Sequence, residues 1–138
     1  MPEKRTIQRA RKDAQEGKAP STQAGEFVRE EIDHIREGKH GARSTKQAIA
    51  IGLSKARRAG VKLPPPKEGK SSEATRTKAR SDYSKGQSGA RKKTSPKRSR
   101  ATLQALKREG HSAASRTALS RQGKQAARAR RKSGKASA

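Results

Sequence analysis

The sequence predicts a mostly α-helical protein with extensive disorder: a small N-terminal helical hairpin, a basic linker and a weakly helical basic C-terminal tail. The first supporting observation is charge, because 37 Lys and Arg against 12 Asp and Glu give a formal net charge of +25 over 138 residues. Self-repulsion at such a charge opposes a compact state. The second is apolar content, since Leu, Ile, Val and Phe together number 13. Their share of the chain is far below the value of about 20% under which a highly charged chain is expected to be disordered.

The distribution of large apolar residues sets the expected domain organisation. Nine of them lie between Phe27 and Leu63, so only this part of the chain has the density for a core. We therefore expect four segments, which are a basic arm with a weak helix (1–20), a helical hairpin (21–63), a disordered basic linker (64–100) and a basic helical tail (101–138).

The first helix of the hairpin is predicted over residues 22–37. Val28, Ile32 and Ile35 recur at i, i+4 and i+7, which places them in one apolar stripe. An acidic face lies roughly opposite this stripe, and it is either solvated or a docking surface for a basic segment of the same chain. This acidic face consists of Glu26, Glu30, Asp33 and Glu37.

The second helix is predicted over residues 45–59. Ser44 and Gln47 form a capping box, with Ser at the N-cap and Gln three positions later. On a helical wheel the buried stripe includes Gly52, which would allow the two helices to approach closely. Ile51 falls on the opposite side, where it is either a tolerated exposed residue or a contact for a partner.

An internal repeat connects the hairpin with the tail. The sequence from Arg36 to Ser44 matches that from Arg108 to Ser115 with one deletion, and a basic helix end follows each copy. The repeat is either a duplicated helical hairpin whose second copy has lost most of its core, or chance similarity within a low-complexity basic chain. Ser115 is the predicted cap of the second copy.

No catalytic, cofactor or metal site is expected. The chain has no Cys, and His34 and His40 are six residues apart rather than at the i, i+4 spacing of a helical metal pair. The phosphate-binding Gly-rich loops and Ser-His-acid arrangements are absent from the sequence. The N-terminus has no apolar signal region, and the longest apolar run, 48–51, is far too short to span a bilayer. We therefore expect a cytoplasmic, non-enzymatic protein that binds neither a membrane nor a small-molecule substrate.

The charge instead favours nucleic acid as the partner, and DNA over RNA. Binding to unpaired bases needs aromatic stacking platforms, whereas the chain has only Phe27 and Tyr83. Contacts with phosphates and little reading of bases are therefore expected. The segment 95–98, Ser-Pro-Lys-Arg, resembles the Ser-Pro-basic-basic units of linker-histone tails. The candidate phosphate-binding residues are Arg43, Lys46, Lys55, Arg57, Arg58, Lys62, Arg91, Lys92, Lys93, Lys97, Arg98, Arg100, Arg128, Arg130, Arg131 and Lys132.

Segments 21–31 and 41–60 resemble a family of small, basic, mostly uncharacterised bacterial proteins, some of which are labelled DNA-binding. The resemblance covers about residues 1–66 and implies a bacterial origin, but no catalytic residue. Together with the charge, it leads us to expect a nucleoid-associated protein that binds duplex DNA without sequence preference. Two alternatives stay open: an RNA- or ribosome-associated protein, and a protein-interaction or stress-protection module that uses the acidic face.

Overall fold

The central helices form where the apolar periodicity predicts them. A computed structural model, which describes residues 3–69, 71–89 and 95–136, has α2 at Pro20–Arg36 and α3 at Thr45–Arg58. The hydroxyl oxygen of Ser44 accepts a hydrogen bond from the Gln47 backbone N–H at 3.1 Å, which confirms the predicted cap of α3. Gly38, at a φ of +78°, lies just beyond the end of α2, where a left-handed conformation favours glycine.

Helices α2 and α3 pack closely because Gly52 has no side chain. A Cβ at this position would lie 2.6 Å from the Val28 Cα, nearer than two carbon atoms can pack. The prediction of a close approach at Gly52 is therefore confirmed. Phe27 is fully buried beside this contact, in a core cluster with Ala24, Ala56 and Val61.

Helix α1, Lys4–Gln15, packs along α2. Its buried residues are Thr6, Ala10 and Asp13. Glu30 of the acidic face is itself buried here, and its Oε1 accepts hydrogen bonds from the Glu3 backbone N–H at 2.6 Å and the Thr6 hydroxyl at 3.3 Å. The acidic face thus serves in part as a docking surface for a basic segment of the same chain.

Helix α4, Glu73–Ser88, forms inside the predicted linker and packs on α3. It buries only Ala79 and Asp82. Asp82 is 1% exposed, and its Oδ2 accepts a hydrogen bond from the Ser54 hydroxyl at 2.7 Å. A polar residue therefore anchors this helix, which explains why a search for large apolar residues does not predict it.

The C-terminal part forms a helix, a turn and a second helix, which we call the second hairpin although its two helices do not pack on each other. Helix α5, Pro96–Arg108, is followed by a 3₁₀ turn at Ser112–Ala114 and by α6, Arg116–Ala136. The Ser115 hydroxyl oxygen accepts a hydrogen bond from the Ala118 N–H at 3.1 Å, as the Ser44 hydroxyl does from Gln47 at the start of α3. Both copies of the repeat thus form a helix, a turn, a serine cap and a second helix.

The second hairpin docks on the first through its turn. Gly41 N–H donates to the Leu106 carbonyl at 2.8 Å, and Ala42 N–H donates to the Gly110 carbonyl at 3.0 Å. Ala113 and Ala114 are buried in a core cluster with α2 and α3 residues, and Leu119 packs against it. This second core cluster contains Ile32, Ile35, Ala42, Ala48, Ala113 and Ala114.

The predicted fold class is therefore wrong, because the described residues form a compact all-α fold with six α-helices rather than an extensively disordered chain. The C-terminal part is not a weak tail, since α6 alone spans 21 residues. Small buried residues and backbone hydrogen bonds attach the second half of the chain to the first. Neither feature is counted when disorder is predicted from the number of large apolar residues. Within residues 3–69, 71–89 and 95–136, no helix is long and apolar enough to cross a membrane.

Candidate nucleic-acid interface

Three of the predicted phosphate-binding residues on α3 interact with acidic or carbonyl groups of the protein itself. The Lys55 ammonium forms an ion pair with Glu31, which is 1% exposed. The Arg57 side chain is buried and donates from Nε to the Leu63 carbonyl and from Nη2 to the Pro64 carbonyl, both at 3.2 Å. Arg58 Nε lies 3.8 Å from Asp82 Oδ1. These side chains hold α2, α4 and the 59–66 segment against α3.

Burial has an electrostatic effect on Arg57. It lowers the pKa of the guanidinium below its ordinary value, while the nearby Asp82 carboxylate opposes this effect. A cation that donates to two carbonyl groups inside the fold is poorly placed to reach a phosphate. By contrast, Arg43, Lys46 and Lys62 are exposed on the first hairpin and its following segment.

The predicted cations of the second hairpin lie entirely on the surface. Lys97, Arg98 and Arg100 are exposed on α5, and Arg128, Arg130, Arg131 and Lys132 are exposed on α6. Among the side chains that the structure describes in 95–132, no Lys or Arg forms an ion pair. The further candidates Arg91, Lys92 and Lys93 lie outside the described residues.

Five cations of α6 form a stripe that faces away from the core. At 100° per residue, Lys124, Arg128 and Arg131 share one side of the helix. Leu119, which packs against the core, points in roughly the opposite direction. Ser120, Gly123 and Ala127 line an open groove together with these three cations. We call Arg121, Lys124, Arg128, Arg131 and Lys132 the basic stripe.

Two members of the basic stripe, Arg121 and Lys124, are not among the sequence-predicted residues. The spacing of 121, 124, 128 and 131 at intervals of three and four on the predicted helical tail is the signal that identifies them.

The aromatic residues are not placed to stack on bases. Phe27 is fully buried between α1, α2 and α3, and Tyr83 on α4 is half-buried. The described surface therefore offers charge for phosphates rather than aromatic platforms for unpaired bases.

A separate group of side chains could hold a metal ion. Glu31, His34 and His40 each bring one ligand atom within 4.8 Å of the others, and so do Glu3, Glu30 and His34. The separation of six residues between His34 and His40 does not fit a metal pair on one helix. The group forms because the turn after α2 returns His40 toward that helix. Lys39 N–H donates to the His34 carbonyl at 3.0 Å in that turn.

Comparison with protein families gives a match over the N-terminal part of the chain. Residues 3–68 match DUF6496, a family of unknown function. The matched segment covers α1, α2 and α3 and ends before α4, so the second hairpin with its basic stripe lies outside it. Neither the curated proteins nor the solved structures contain a significant match.

Proposed function

We propose that the protein binds duplex DNA without sequence preference, through phosphate contacts from α5 and α6. The observation that carries the proposal is the separation of charge between the two hairpins. Residues 96–138 contain 13 Lys and Arg and a single acid, Glu109. The described cations of this segment form no ion pairs within the chain, so their charge is available to a polyanion.

The first 89 residues differ from the second hairpin in their content of acidic residues. They contain 11 of the 12 acids, and four of these, Asp13, Glu30, Glu31 and Asp82, are buried. Lys18 pairs with Asp13, Lys55 with Glu31, and Lys78 and Arg58 with Asp82, whereas Glu30 accepts hydrogen bonds from uncharged groups. The first part of the chain, with 21 Lys and Arg against 11 acids, therefore has partly compensated charge and acts as a scaffold, whereas the charge of the second part is almost uncompensated.

The basic stripe has dimensions that suit a nucleic-acid backbone. Lys124 and Arg131 are seven residues apart on α6, which corresponds to about 10 Å along the helix axis. This distance equals roughly three base-pair steps of duplex DNA at about 3.4 Å each. Several cations of one helix can therefore contact neighbouring phosphates at once.

The alternative of a protein-interaction module has less surface available, because α1 covers part of the acidic face and Glu30 is buried. RNA is the closer alternative, since phosphate contacts alone do not distinguish the two polymers. Binding titrations with duplex DNA, duplex RNA and single-stranded DNA of one sequence separate these cases. A preference for RNA of more than tenfold would favour the RNA- or ribosome-associated function.

The deciding experiment compares two triple variants of the full chain. Lys124→Gln, Arg128→Gln and Arg131→Gln remove three unpaired cations of the basic stripe. The control, Arg5→Gln, Lys12→Gln and Arg29→Gln, removes three exposed cations that each lie within 4.0 Å of a carboxylate. The two triple variants therefore have equal net charge.

Fluorescence anisotropy over a series of salt concentrations is the measurement. The α6 variant should reduce the slope of log affinity against log salt by up to about 2.7, which is 0.9 for each lost phosphate contact. The control variant should change the slope much less. Equal reductions of the slope in the α6 variant and the control variant would show that only net charge matters, and would contradict the assignment to α6. Binding that persists at high salt would contradict the electrostatic mechanism.

A further inference from the structure

A buried cluster of His and Glu lies at the turn between α2 and α3, away from the basic stripe. Glu31 is 1% exposed and His40 is 7% exposed, and the His34 side chain retains 14% of its surface. One ring nitrogen or carboxylate oxygen from each of the three lies within 4.8 Å of the others. The proposed DNA binding makes no use of these groups.

The contacts of His40 require either a proton or a metal ion between its ring and the Glu31 carboxylate. Its Nδ1 lies 2.9 Å from the Gly41 carbonyl oxygen, which can only accept, so Nδ1 carries a proton. Its Nε2 lies 3.2 Å from Glu31 Oε2, which as a carboxylate oxygen also only accepts. In a neutral ring the lone pair of Nε2 would face a lone pair of Oε2. Either a second proton or a metal ion must therefore lie between these two atoms.

We propose that Glu31, His34 and His40 form a binding site for one Zn²⁺ ion. Two imidazoles and a carboxylate with an open fourth position are a ligand set that zinc uses in proteins. Zinc ligands at about 2.0–2.2 Å in a tetrahedron lie roughly 3.4 Å from one another. The separation of 3.2 Å between His40 Nε2 and Glu31 Oε2 already meets this requirement.

The surroundings of the cluster support the assignment. The Nδ1–H of His40 donates to a backbone carbonyl, which is how proteins commonly orient a metal-binding imidazole. Lys55 contacts the other carboxylate oxygen of Glu31, Oε1, so Oε2 is left for the metal. Glu3 Oε1 lies 3.1 Å from His34 Nε2 and 3.5 Å from Lys39 Nζ, so this carboxylate is placed to orient the His34 ring while its charge is balanced by Lys39.

The position of the site links zinc to the arrangement of the two hairpins. His40 directly precedes Gly41 and Ala42, whose N–H groups bind the carbonyls of Leu106 and Gly110. An ion held by α2 and His40 would therefore stiffen the turn on which the second hairpin docks. We expect zinc to raise the melting temperature and to increase the hydrogen-exchange protection of the Gly41 amide.

The experiment uses the full chain after treatment with a chelator. Titration with zinc chloride in a calorimeter should show saturable binding of one equivalent, and cobalt chloride should give the visible absorption bands of tetrahedral Co²⁺. His34→Gln and His40→Gln should each weaken zinc binding by more than about 100-fold, beyond the loss typical of an outer-shell change. The control is His111→Gln, because His111 is exposed and occupies the turn of the second repeat copy. It should bind zinc as the unaltered protein does.

Two results would overturn the proposal. Absence of saturable zinc binding by the unaltered protein would show that a proton lies between Nε2 and Oε2. Equal weakening by His111→Gln would show that zinc binds the histidines non-specifically. Circular dichroism identifies a variant that fails to fold, and if His40→Gln does so, His34→Gln decides alone.

Discussion

Replacing Gly41 with Ala should detach the second hairpin from the first. A Cβ on Gly41 would contact the Glu109 carbonyl and would lie 2.5 Å from the Gly110 carbonyl oxygen, which is about 1 Å closer than an ordinary contact. Because both neighbours are backbone atoms, no rotation of a side chain can relieve the overlap. The two turns must separate, which breaks the hydrogen bonds from Gly41 to Leu106 and from Ala42 to Gly110.

The loss can be estimated from the contacts at this junction. Besides the two backbone bonds, the Thr45 hydroxyl donates to the Ala113 carbonyl at 2.6 Å and Arg36 Nε donates to the Ala114 carbonyl at 3.0 Å. At about 1 kcal/mol each, four bonds stabilise the docked state by roughly 4 kcal/mol. Partial relaxation of the turns would retain some of them, so we expect a loss of about 2–4 kcal/mol.

Hydrogen exchange and limited trypsin digestion measure this docking directly. In Gly41→Ala the Ala42 amide should exchange faster, and cleavage after the Lys and Arg residues of α5 should accelerate. Gly110→Ala is the matched control, because it lies in the partner turn and its Cβ would meet nothing within 4 Å. Equal protection and equal cleavage in the two variants would refute the turn-to-turn docking.

Three further predictions concern the rest of the fold. Gly52→Ala should destabilise the protein by about 1–3 kcal/mol in urea unfolding, because its Cβ would overlap the Val28 backbone; Gly25→Ala, in open space on α2, should instead stabilise it by about 0.5–1 kcal/mol. Asp82→Ala should cost about 2 kcal/mol, because the buried carboxylate accepts from Ser54 and pairs with Lys78 and Arg58, whereas Ser81→Ala on the exposed side should have almost no effect. Hydrogen bonds from Lys18 to Glu16 and Asp13 raise the pKa of Lys18 above its ordinary value of 10.5. The interaction therefore stabilises the fold fully below pH 10.5, and this stabilisation is lost as the pH rises through the raised pKa. Lys18→Gln should therefore lower the melting temperature at neutral pH, and its difference from the unaltered protein should disappear in strong alkali.

Local sequence signals predicted the parts of the fold that follow from apolar periodicity and capping. The α2 stripe, the Ser44 cap and the close approach at Gly52 are all features of this kind. The same signals could not predict α4, because it docks through the carboxylate of Asp82, a residue that usually indicates an exposed position. They also could not predict the attachment of the second hairpin, which relies on backbone groups of Gly41 and Ala42.

Prediction of the candidate site was limited for a related reason. The sequence does not show whether a Lys or Arg side chain contacts solvent, a buried carboxylate or a backbone carbonyl. Arg57 and Lys55 have internal partners that only the packing of the helices reveals. The cations of α5 and α6 lie in a segment with one acid and 13 basic residues, so the sequence shows only that ion pairs within this segment are limited, and the packing shows that its described cations form none with the rest of the chain.

The second hairpin has few large apolar residues, which affects both how it docks on the first hairpin and how much charge its helices can carry. A helical hairpin normally buries one stripe of each helix, which restricts the charges that those helices can carry. Here the second hairpin docks mainly by its turn, through Ala113, Ala114 and four hydrogen bonds, and α5 buries none of its residues. Its helices therefore need little apolar surface, and nearly every outward position is free to carry a cation. The composition that suggests a disordered tail thus corresponds to a pair of ordered helices on a folded scaffold, with their charge directed at solvent.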